Sequence, residues 1–370
     1  MVEWKNIGEI CYISDYVSNG SFASLRENVQ YKNEPDYAIL VRVADYSCGF
    51  DASKFVYIDE HAYYFLAKSS LDGGEIIMSN VGSCGLLFRC PKLDRKMSLA
   101  PNAILIKSDY IDFLYYWLGS NTGQEEIKKI TSKSAMPKFN KTEFKKINIP
   151  IPSLEEQTRI VGILDTFTSA IDNLKEQIAQ RRKQYEYYRD QLLDLEGKPG
   201  VEMKTLGEVC KLERGVRVVK KDLQEQGAIP VFQNSLTPLG FYEKSNYPEH
   251  TTFVICAGAA GEVGFSEIAF WAADDCTCII CPSSICSKYV YNYLMVKQHL
   301  LKAQVRKASV PRLSKDVIYK LQIPLPPIQE QQRIVSILDT FEASIQNLEA
   351  QLKQREKQYD YYRNKLLTFE

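Results

Sequence analysis

The chain has 370 residues, a length that predicts two or three domains at roughly 100 to 200 residues each. Hydrophobic residues make up 45% of it and charged residues 25%, ordinary values for a folded chain that exclude wholesale disorder. Because 46 basic residues balance 46 acidic ones, the net charge neither favours nor excludes a nucleic-acid partner.

Residues 1–152 predict an α+β domain. The short β-rich runs YAILVRV, FVYID, GEIIMSNVG and NAILIKS are bounded by Gly, Pro, Asn and Asp. One run leads into the pair Gly82 and Gly85, which predicts a tight turn, although such a pair can also hold a phosphate. The start lacks a secretory signal, and no run approaches the roughly 18 apolar residues of a membrane span. We therefore expect a cytoplasmic protein without a membrane partner.

Residues 153–196 predict one long helix and residues 327–370 a second. Apolar residues recur at steps of three and four, interrupted in each copy only by an arginine, Arg181 or Arg355. The seam residues are Leu164, Phe167, Ile171, Leu174, Ile178 and Tyr185 in the first copy and Leu338, Phe341, Ile345, Leu348, Leu352 and Tyr359 in the second. The pattern predicts a coiled coil in which each helix pairs with the other. Ser153 and Glu156 predict a capping box at the first helix.

Residues 197–326 predict a second α+β domain, which begins at a Gly-Lys-Pro-Gly linker. Its β-rich runs are VFQNSL, TTFVICAG and IAFWAAD, and one leads into a second glycine pair, Gly258 and Gly261. The shared layout predicts that the two domains have a similar fold. Cys276, Cys278, Cys281 and Cys286 could bind zinc, but their β-prone surroundings favour small buried thiols.

The chain contains a duplicated element. Residues 147–196 and 321–370 are identical at 28 of 50 positions without a gap, at an offset of 174. WKNIGEIC near the start matches MKTLGEVC after the linker at an offset of 199, so the first variable stretch is 25 residues longer than the second.

Basic residues cluster at equivalent places in both halves. Residues 128–146 hold seven lysines and one acidic residue, and residues 297–320 hold seven basic residues and one acidic residue. A third group lies between residues 211 and 221. These segments suit contacts with phosphates, although each could be an ordinary solvated surface.

Residues for catalysis are not found. The chain has neither a phosphate-binding G-x-x-x-x-G-K-[ST] loop nor an H-E-x-x-H zinc motif, and its three histidines are isolated in sequence. The enzymatic alternative is a metal-dependent nuclease that uses Asp36, Asp94 and Lys96.

The repeated segments IPIPSLEEQTRIVGILD (149–165) and IPLPPIQEQQRIVSILD (323–339), each preceded by a K-x-[AS]-x-P-[KR] run, resemble the specificity subunit of type I restriction-modification enzymes. The resemblance covers essentially the whole chain. It implies two similar target-recognition domains that each read one half of a split site in double-stranded DNA. It also implies a pseudo-twofold fold in which the two helices form an antiparallel coiled coil as a spacer.

The resemblance further implies a non-catalytic subunit that has no cofactor of its own. Such a subunit recruits two modification subunits, which methylate adenine with S-adenosylmethionine, and restriction and motor subunits join with ATP. A competing hypothesis is a coiled-coil scaffold that binds proteins and not DNA.

Three groups of site residues follow. The phosphate candidates are Lys133, Lys138, Lys141, Lys220, Arg306, Lys307 and Arg312. The base-reading candidates, which could equally be ordinary surface residues, are Arg42, Tyr46, Arg214, Arg217, Gln233 and Asn234. The partner-binding candidates, which could instead simply begin the helices, are Glu156, Gln157, Arg159 and Ile160 with their repeats Glu330, Gln331, Arg333 and Ile334.

Overall fold

Residues 2–369 are described by a computed structural model, apart from the side chain of Lys220. The chain divides into two units. The first unit is Met1–Asn173 with Leu352–Glu370, and the second is Leu174–Gln351. Each unit therefore combines a globular part with portions of both long helices.

The first unit contains three small sheets. Its strands are β1 Glu3–Asn6, β2 Tyr12–Asp15, β3 Ala38–Val41, β4 Tyr57–Ile58, β5 Ser70–Leu71, β6 Ile76–Ser79, β7 Leu87–Arg89, β8 Lys96–Leu99, β9 Ala103–Lys107 and β10 Asn148–Ile151. One sheet has the order β2-β9-β6-β7 and is antiparallel, and another has the order β4-β3-β8-β5 with β3 and β8 parallel. β1 pairs with β10, so the two ends of the domain lie side by side.

The first unit also contains several short helices. They are α1 Ile7–Ile10, α2 Phe22–Asn28, α3 Val43–Ser47, α4 Glu60–Phe65, α5 Ile111–Gly119, α6 Asn121–Ile130 and α7 Lys141–Phe144, and α8, Leu154–Leu193, begins here. The largest core of the unit joins three parts: the buried face of the sheet, Phe113 and Trp117 of α5, and Ile160 and Leu164 of α8. Burial of these large side chains is the main force that holds α8 against its domain.

The second unit repeats this plan. Its strands are β11 Glu202–Thr205, β12 Lys211–Arg214, β13 Ile229–Phe232, β14 Gly240–Tyr242, β15 Thr251–Ile255, β16 Val263–Ser266, β17 Trp271–Ala272, β18 Cys276–Ile280 and β19 Gln322–Leu325. Its helices are α9 Leu206–Val209, α10 Ser287–Val296, α11 Gln298–Ala303, α12 Lys315–Tyr319 and α13 Ile328–Leu366, the last of which continues into the first unit. Tyr289 and Tyr293 of α10 pack in its core with Ile334 and Leu338 of α13.

The sheets of the two units correspond strand by strand. The antiparallel order β12-β18-β15-β16 matches β2-β9-β6-β7, the parallel pair β13 and β17 matches β3 and β8, and β11 pairs with β19 as β1 does with β10. The predicted α+β class and the similarity of the two domains are confirmed. The extra length of the first unit lies between β2 and β6, where α2, α3, α4 and the edge strand β5 are added, while β14 matches β4.

The long helices pack against each other through the repeated segments. In the second unit Arg182 bonds Glu349 at 2.5 Å, the Tyr185 hydroxyl donates to Glu342 at 3.0 Å, and Tyr188 stacks on Phe341. Along these contacts the residue numbers rise in α8 and fall in α13, so the two helices are antiparallel there. In the first unit, Phe167 stacks in the same way on Tyr362.

The seam residues are buried or half-buried throughout. The two interrupting arginines also contribute, because their guanidinium groups lie over the repeated phenylalanine of the opposite helix. Arg181 is 5.9 Å from the Phe341 ring and Arg355 is 5.8 Å from the Phe167 ring. The cation–π contact and the packing of the arginine methylene groups against the opposite helix explain why a charged residue fits this position.

The capping prediction at α8 is half correct. The Glu156 backbone N–H donates to the Ser153 hydroxyl at 3.3 Å, as an N-cap requires. The Glu156 carboxylate, however, accepts two bonds from Arg159 and does not return to the Ser153 backbone. A charged guanidinium is the stronger donor, so the reciprocal half of the capping box is replaced by an ion pair.

Within residues 2–369, no helix combines the length and hydropathy needed to cross a membrane.

Candidate nucleic-acid interface

A short loop occupies the same place in each unit. We call residues 132–138 the first basic loop and residues 306–312 the second basic loop. The first is closed by a bond from the Ser132 N–H to the Lys138 carbonyl at 2.9 Å. The second is closed at the equivalent residues, since Arg306 and Arg312 exchange backbone bonds of 2.9 and 3.3 Å. Both loops are therefore ordered at their bases.

The paired glycines anchor these loops. The Gly82 N–H donates to the Pro137 carbonyl at 2.8 Å, and the Gly258 N–H donates to the Pro311 carbonyl at 3.1 Å. Both glycines have positive φ, 78° and 80°, which favours glycine over residues with a Cβ. The turn interpretation of the glycine pairs is therefore correct, and each turn fixes a basic loop.

Most of the predicted phosphate contacts lie on the loops and are exposed. They are Lys133 and Lys138 on the first loop and Arg306, Lys307 and Arg312 on the second. None of these five forms an ion pair with another described residue, whereas nearby Lys129, Lys141 and Lys146 are paired with Glu126, Asp15 and Glu143. The loop cations are thus available to an external anion.

Lys141 has a different environment from the loop cations. Its ammonium group lies 2.8 Å from the Asp15 carboxylate and also contacts the Ser18 hydroxyl, which ties α7 to β2. The side chain of Lys220 lies outside the described part of the chain.

The second unit places one predicted base reader beside its loop. Asn234 is exposed, and its carbonyl accepts from the Ala259 N–H at 2.9 Å, so it adjoins the Gly258 turn. A Cβ on Gly258 would come within 2.7 Å of that same carbonyl oxygen. The turn therefore brings Asn234 and the second basic loop to one place.

Of the other base-reading candidates in the second unit, Gln233 and Arg214 have internal hydrogen bonds. Gln233 is half-buried and its amide reaches the Asp275 carboxylate at 3.4 Å. The Arg214 guanidinium donates to the Asp274 carbonyl at 2.6 Å. Arg217 is exposed.

In the first unit the two base-reading candidates have internal contacts. Arg42 precedes α3 and donates to the Asp45 carboxylate at 2.6 Å and to the Lys54 carbonyl at 2.7 Å. The Tyr46 ring stacks on Phe88 with 4.5 Å between centroids. Arg42 therefore stabilises the start of α3, and Tyr46 packs α3 against β7.

The start of each long helix carries a matching exposed ion pair. Arg159 makes two bonds to Glu156, of 2.6 and 2.8 Å, and Arg333 makes two of 2.7 Å to Glu330. Bonding to the arginine lowers the pKa of each glutamate below its usual value, so both pairs are charged near neutral pH.

The remaining residues of the predicted partner surface point inward. Gln157 and Gln331 are buried and donate to the carbonyls of Pro152 and Pro326 at 2.8 and 2.9 Å, and Ile160 and Ile334 are fully buried. Glu156, Arg159, Glu330 and Arg333 are thus the accessible part of that surface.

A repeated aspartate ties each helix to its own domain, a role that the sequence analysis missed. In the first unit the Tyr116 hydroxyl donates to Asp165 at 2.5 Å, and in the second Lys288 lies 2.9 Å from Asp339. The shared ILD triplet could have indicated the aspartates, but their partners differ between the two units.

No cluster able to hold a metal ion exists among the described residues. Cys276 and Cys278 are buried in β18, and burial raises the pKa of both thiols, as expected for small core residues. Asp36 of the nuclease alternative bonds Lys32 at 2.5 Å, which lowers its pKa. The described part of the chain thus provides no metal site for the nuclease alternative.

Comparison with known proteins identifies the family. The sequence profile of the type I restriction modification DNA specificity domain matches residues 1–181 and 199–356, nearly the whole chain in two copies. The chain belongs to this type I specificity family. Its relatives are named as specificity subunits, in agreement with the predicted non-catalytic role.

Two relatives show the extent of the similarity. A type I restriction enzyme specificity subunit of Haemophilus influenzae is 30% identical over 70% of this chain and 72% of its own length. The EcoR124I/EcoR124II specificity subunit of Escherichia coli is 30% identical over 70% of this chain and 71% of its own.

Solved structures agree in fold. The type I S subunit from M. genitalium superposes with a TM-score of 0.65 at 17% identity, covering 100% of this chain and 97% of that one. A chain from a structural study of complex assembly in the type I system gives 0.60 at 17% identity, covering 99% and 96%.

Proposed function

We propose that this type I specificity subunit binds double-stranded DNA, with each unit reading one half of a split site. One observation carries the proposal: both units hold an ordered loop with unpaired, exposed cations at equivalent positions. Such cations give affinity through phosphates, while neighbouring polar groups such as Asn234 read base edges. Because the two units differ in length and in loop sequence, the two half-sites differ and the whole site is not a palindrome.

Neutralising one loop cation tests the proposal that the basic loops bind DNA. Lys138→Gln and Arg312→Gln should each weaken binding to long duplex DNA and reduce the slope of log affinity against log salt by about one. Lys146→Gln is the matched control, since it removes the same charge from a lysine already paired with Glu143 at 2.8 Å. Filter binding across a range of salt concentrations gives both readouts. If wild-type chain binds no DNA, alone or in a complex, the scaffold alternative replaces this proposal.

We further propose that two modification subunits dock on this chain, one at each Glu-Arg pair. The two helix starts have the same sequence pattern and the same geometry, as expected where identical subunits bind equivalently. Restriction and motor subunits then join the assembly, which acts on DNA in the cytoplasm. Methyl transfer should appear only when the modification subunit is present, and the purified chain should neither methylate nor cut DNA.

Reversing the charge at Arg159 and Arg333 together tests the proposal that modification subunits dock at the Glu-Arg pairs. Both guanidinium groups are more than half exposed, so Arg→Glu there should change the surface with little change in the thermal midpoint. Co-purification of the modification subunit should fall. Normal co-purification with a folded variant would contradict this docking site while leaving DNA binding untouched.

A further inference from the structure

Each basic loop exposes one apolar side chain at the same position. Met136 is 66% exposed and Val310 is 48% exposed, and the two residues are 174 positions apart, as the repeat requires. A single exposed apolar residue on a protein surface needs no explanation. Here the exposure recurs at the equivalent position of both basic loops, although the residue itself differs, and in both loops cations flank the apolar side chain.

The loops hold these side chains in place. Met136 is followed by Pro137 and Val310 by Pro311, and the ring of each proline fixes its own φ. The Ser134 hydroxyl donates to the Met136 carbonyl at 2.7 Å, and the glycine turns hold the carbonyls of both prolines. The exposed side chains are therefore presented on ordered backbone before any ligand arrives, which reduces the entropy lost on binding.

We propose that Met136 and Val310 each contact the 5-methyl group of a thymine in the major groove of their own half-site. The inference rests on the DNA-binding function proposed above. An apolar side chain cannot read hydrogen-bonding groups, and the thymine methyl is the apolar feature of a base edge in the major groove. Lys133, Lys138, Arg306, Lys307 and Arg312 then hold the backbone phosphates on either side.

The alternative geometry is a wedge between two base pairs in the minor groove. Side chains that act in this way are long or broad, such as Phe, Leu, Ile, Met and Pro. Val310 is short and stiff at its first torsion, so a wedge suits only one of the two loops. A methyl contact suits both, and the differing reach of Met and Val gives the half-sites different geometries.

The test pairs a protein change with a DNA change. Methylome sequencing of cells that express the system first gives the site, and a duplex is then made with deoxyuridine for thymine in one half-site. Deoxyuridine keeps base pairing and removes only the methyl group. Wild-type complex should bind the substituted first half-site about fourfold or more weakly, the loss expected for one uncovered methyl group.

Met136→Ala should bind unmodified DNA with a similar loss and show no further loss on the deoxyuridine duplex of the first half-site. Val310→Ala should behave in this way for the second half-site only. Both side chains are exposed, so neither change endangers folding, and Met136→Leu should restore most of the affinity. Lys138→Gln is the control, because it should weaken binding to both duplexes by the same factor.

Four outcomes would overturn the inference. The first is wild-type affinity in both alanine variants, and the second is a half-site without thymine in either strand. The third is that the alanine change and the deoxyuridine change weaken binding independently, so that their losses multiply. The fourth is unstacking of 2-aminopurine, placed in the duplex as a fluorescent base, that depends on Met136, because unstacking indicates a wedge. Failure of the wild-type complex to bind its methylated site would instead contradict the proposed function. Both failures are distinguishable because the second appears before any variant is made.

Discussion

At the scale of single residues, burial controls the reactivity of the cysteines. Burial raises the pKa of the Cys11 thiol to about 11 and that of Cys90 to about 12, whereas Cys48 is exposed. A raised pKa keeps a thiol protonated, so at pH 8 only about a thousandth of Cys11 is the reactive thiolate. Iodoacetamide at pH 8 should therefore modify Cys48 first and leave Cys11 and Cys90 largely unmodified in the folded chain.

Peptide mass spectrometry measures that order of modification. Cys276 and Cys278 should also be protected, and all of them should react at similar rates after unfolding in urea. Raising the pH towards 11 should increase the Cys11 rate, because its thiolate then becomes abundant. Equal rates for Cys11 and Cys48 in folded protein at pH 8 would contradict the buried position of Cys11.

Sequence alone locates the charged residues but not their pairing. The seven lysines between 128 and 146 look equivalent as a string, yet Lys141 and Lys146 are neutralised by Asp15 and Glu143 while Lys133 and Lys138 are not. Asp15 is 126 residues away, so no local pattern could have revealed that pair. The chemistry of Arg42 suits base reading, and only the fold shows that its guanidinium group is bonded to Asp45.

At the scale of elements, a repeated buried glutamine fixes the start of each long helix. The Gln331 amide donates to the Pro326 carbonyl and accepts from the Cys286 N–H, each at 2.9 Å. Gln331→Ala would leave both buried groups unpaired, at a cost of about 2 to 4 kcal/mol. Gln157→Ala breaks its bond to the Pro152 carbonyl and should cost about 1 to 3 kcal/mol.

Hydrogen exchange is the suitable measurement, because a chain with two units need not unfold in one step. Gln331→Ala should speed exchange around residues 284–296 and 328–338 and leave the first unit unchanged. Gln329→Ala, which removes an exposed glutamine from the same turn, is the matched control. Equal exchange in both variants would show that the amide bonds contribute little.

The helices themselves were predictable because their periodicity is long and their repeat is nearly identical. Their observed bounds, Leu154–Leu193 and Ile328–Leu366, fall within a few residues of the predicted ones. Strand pairing was not predictable, since it depends on contacts distant in sequence. Glu3 opposite Ile151 is one such contact, and the parallel pairing of β3 with β8 is another.

At the scale of the whole molecule, the paired helices are proposed as the spacer between the two half-sites. Deleting residues 171–177 together with 345–351 removes one heptad from each copy and keeps the seam in phase, and Glu356 then takes the place of Glu349. Each helix becomes about 10 Å shorter, which corresponds to at most about three base pairs. We expect methylome sequencing to find the same half-sites with a shorter gap.

Deletion from one helix only should misalign the seam and destabilise the protein, which provides the control. If a complex with the double-deletion chain is active and the gap between its half-sites is unchanged, helix length does not set that gap.

Each long helix contributes residues to both units, and this arrangement determines the order in which the units can be completed during synthesis. Leu367 lies in the core of the first unit, Phe369 packs edge-on to Phe113 of α5, and the Asn364 side chain accepts from the Asn121 N–H. These residues leave the ribosome about 190 residues after the rest of that unit, a delay of roughly 10 to 40 s at bacterial and eukaryotic rates of elongation. Throughout that interval Ile160 and Leu164 of α8 already cover part of α5, but Phe113 lacks the contact with Phe369. The core of the first unit is therefore completed only after the whole of the second unit, Leu174–Gln351, has been synthesised.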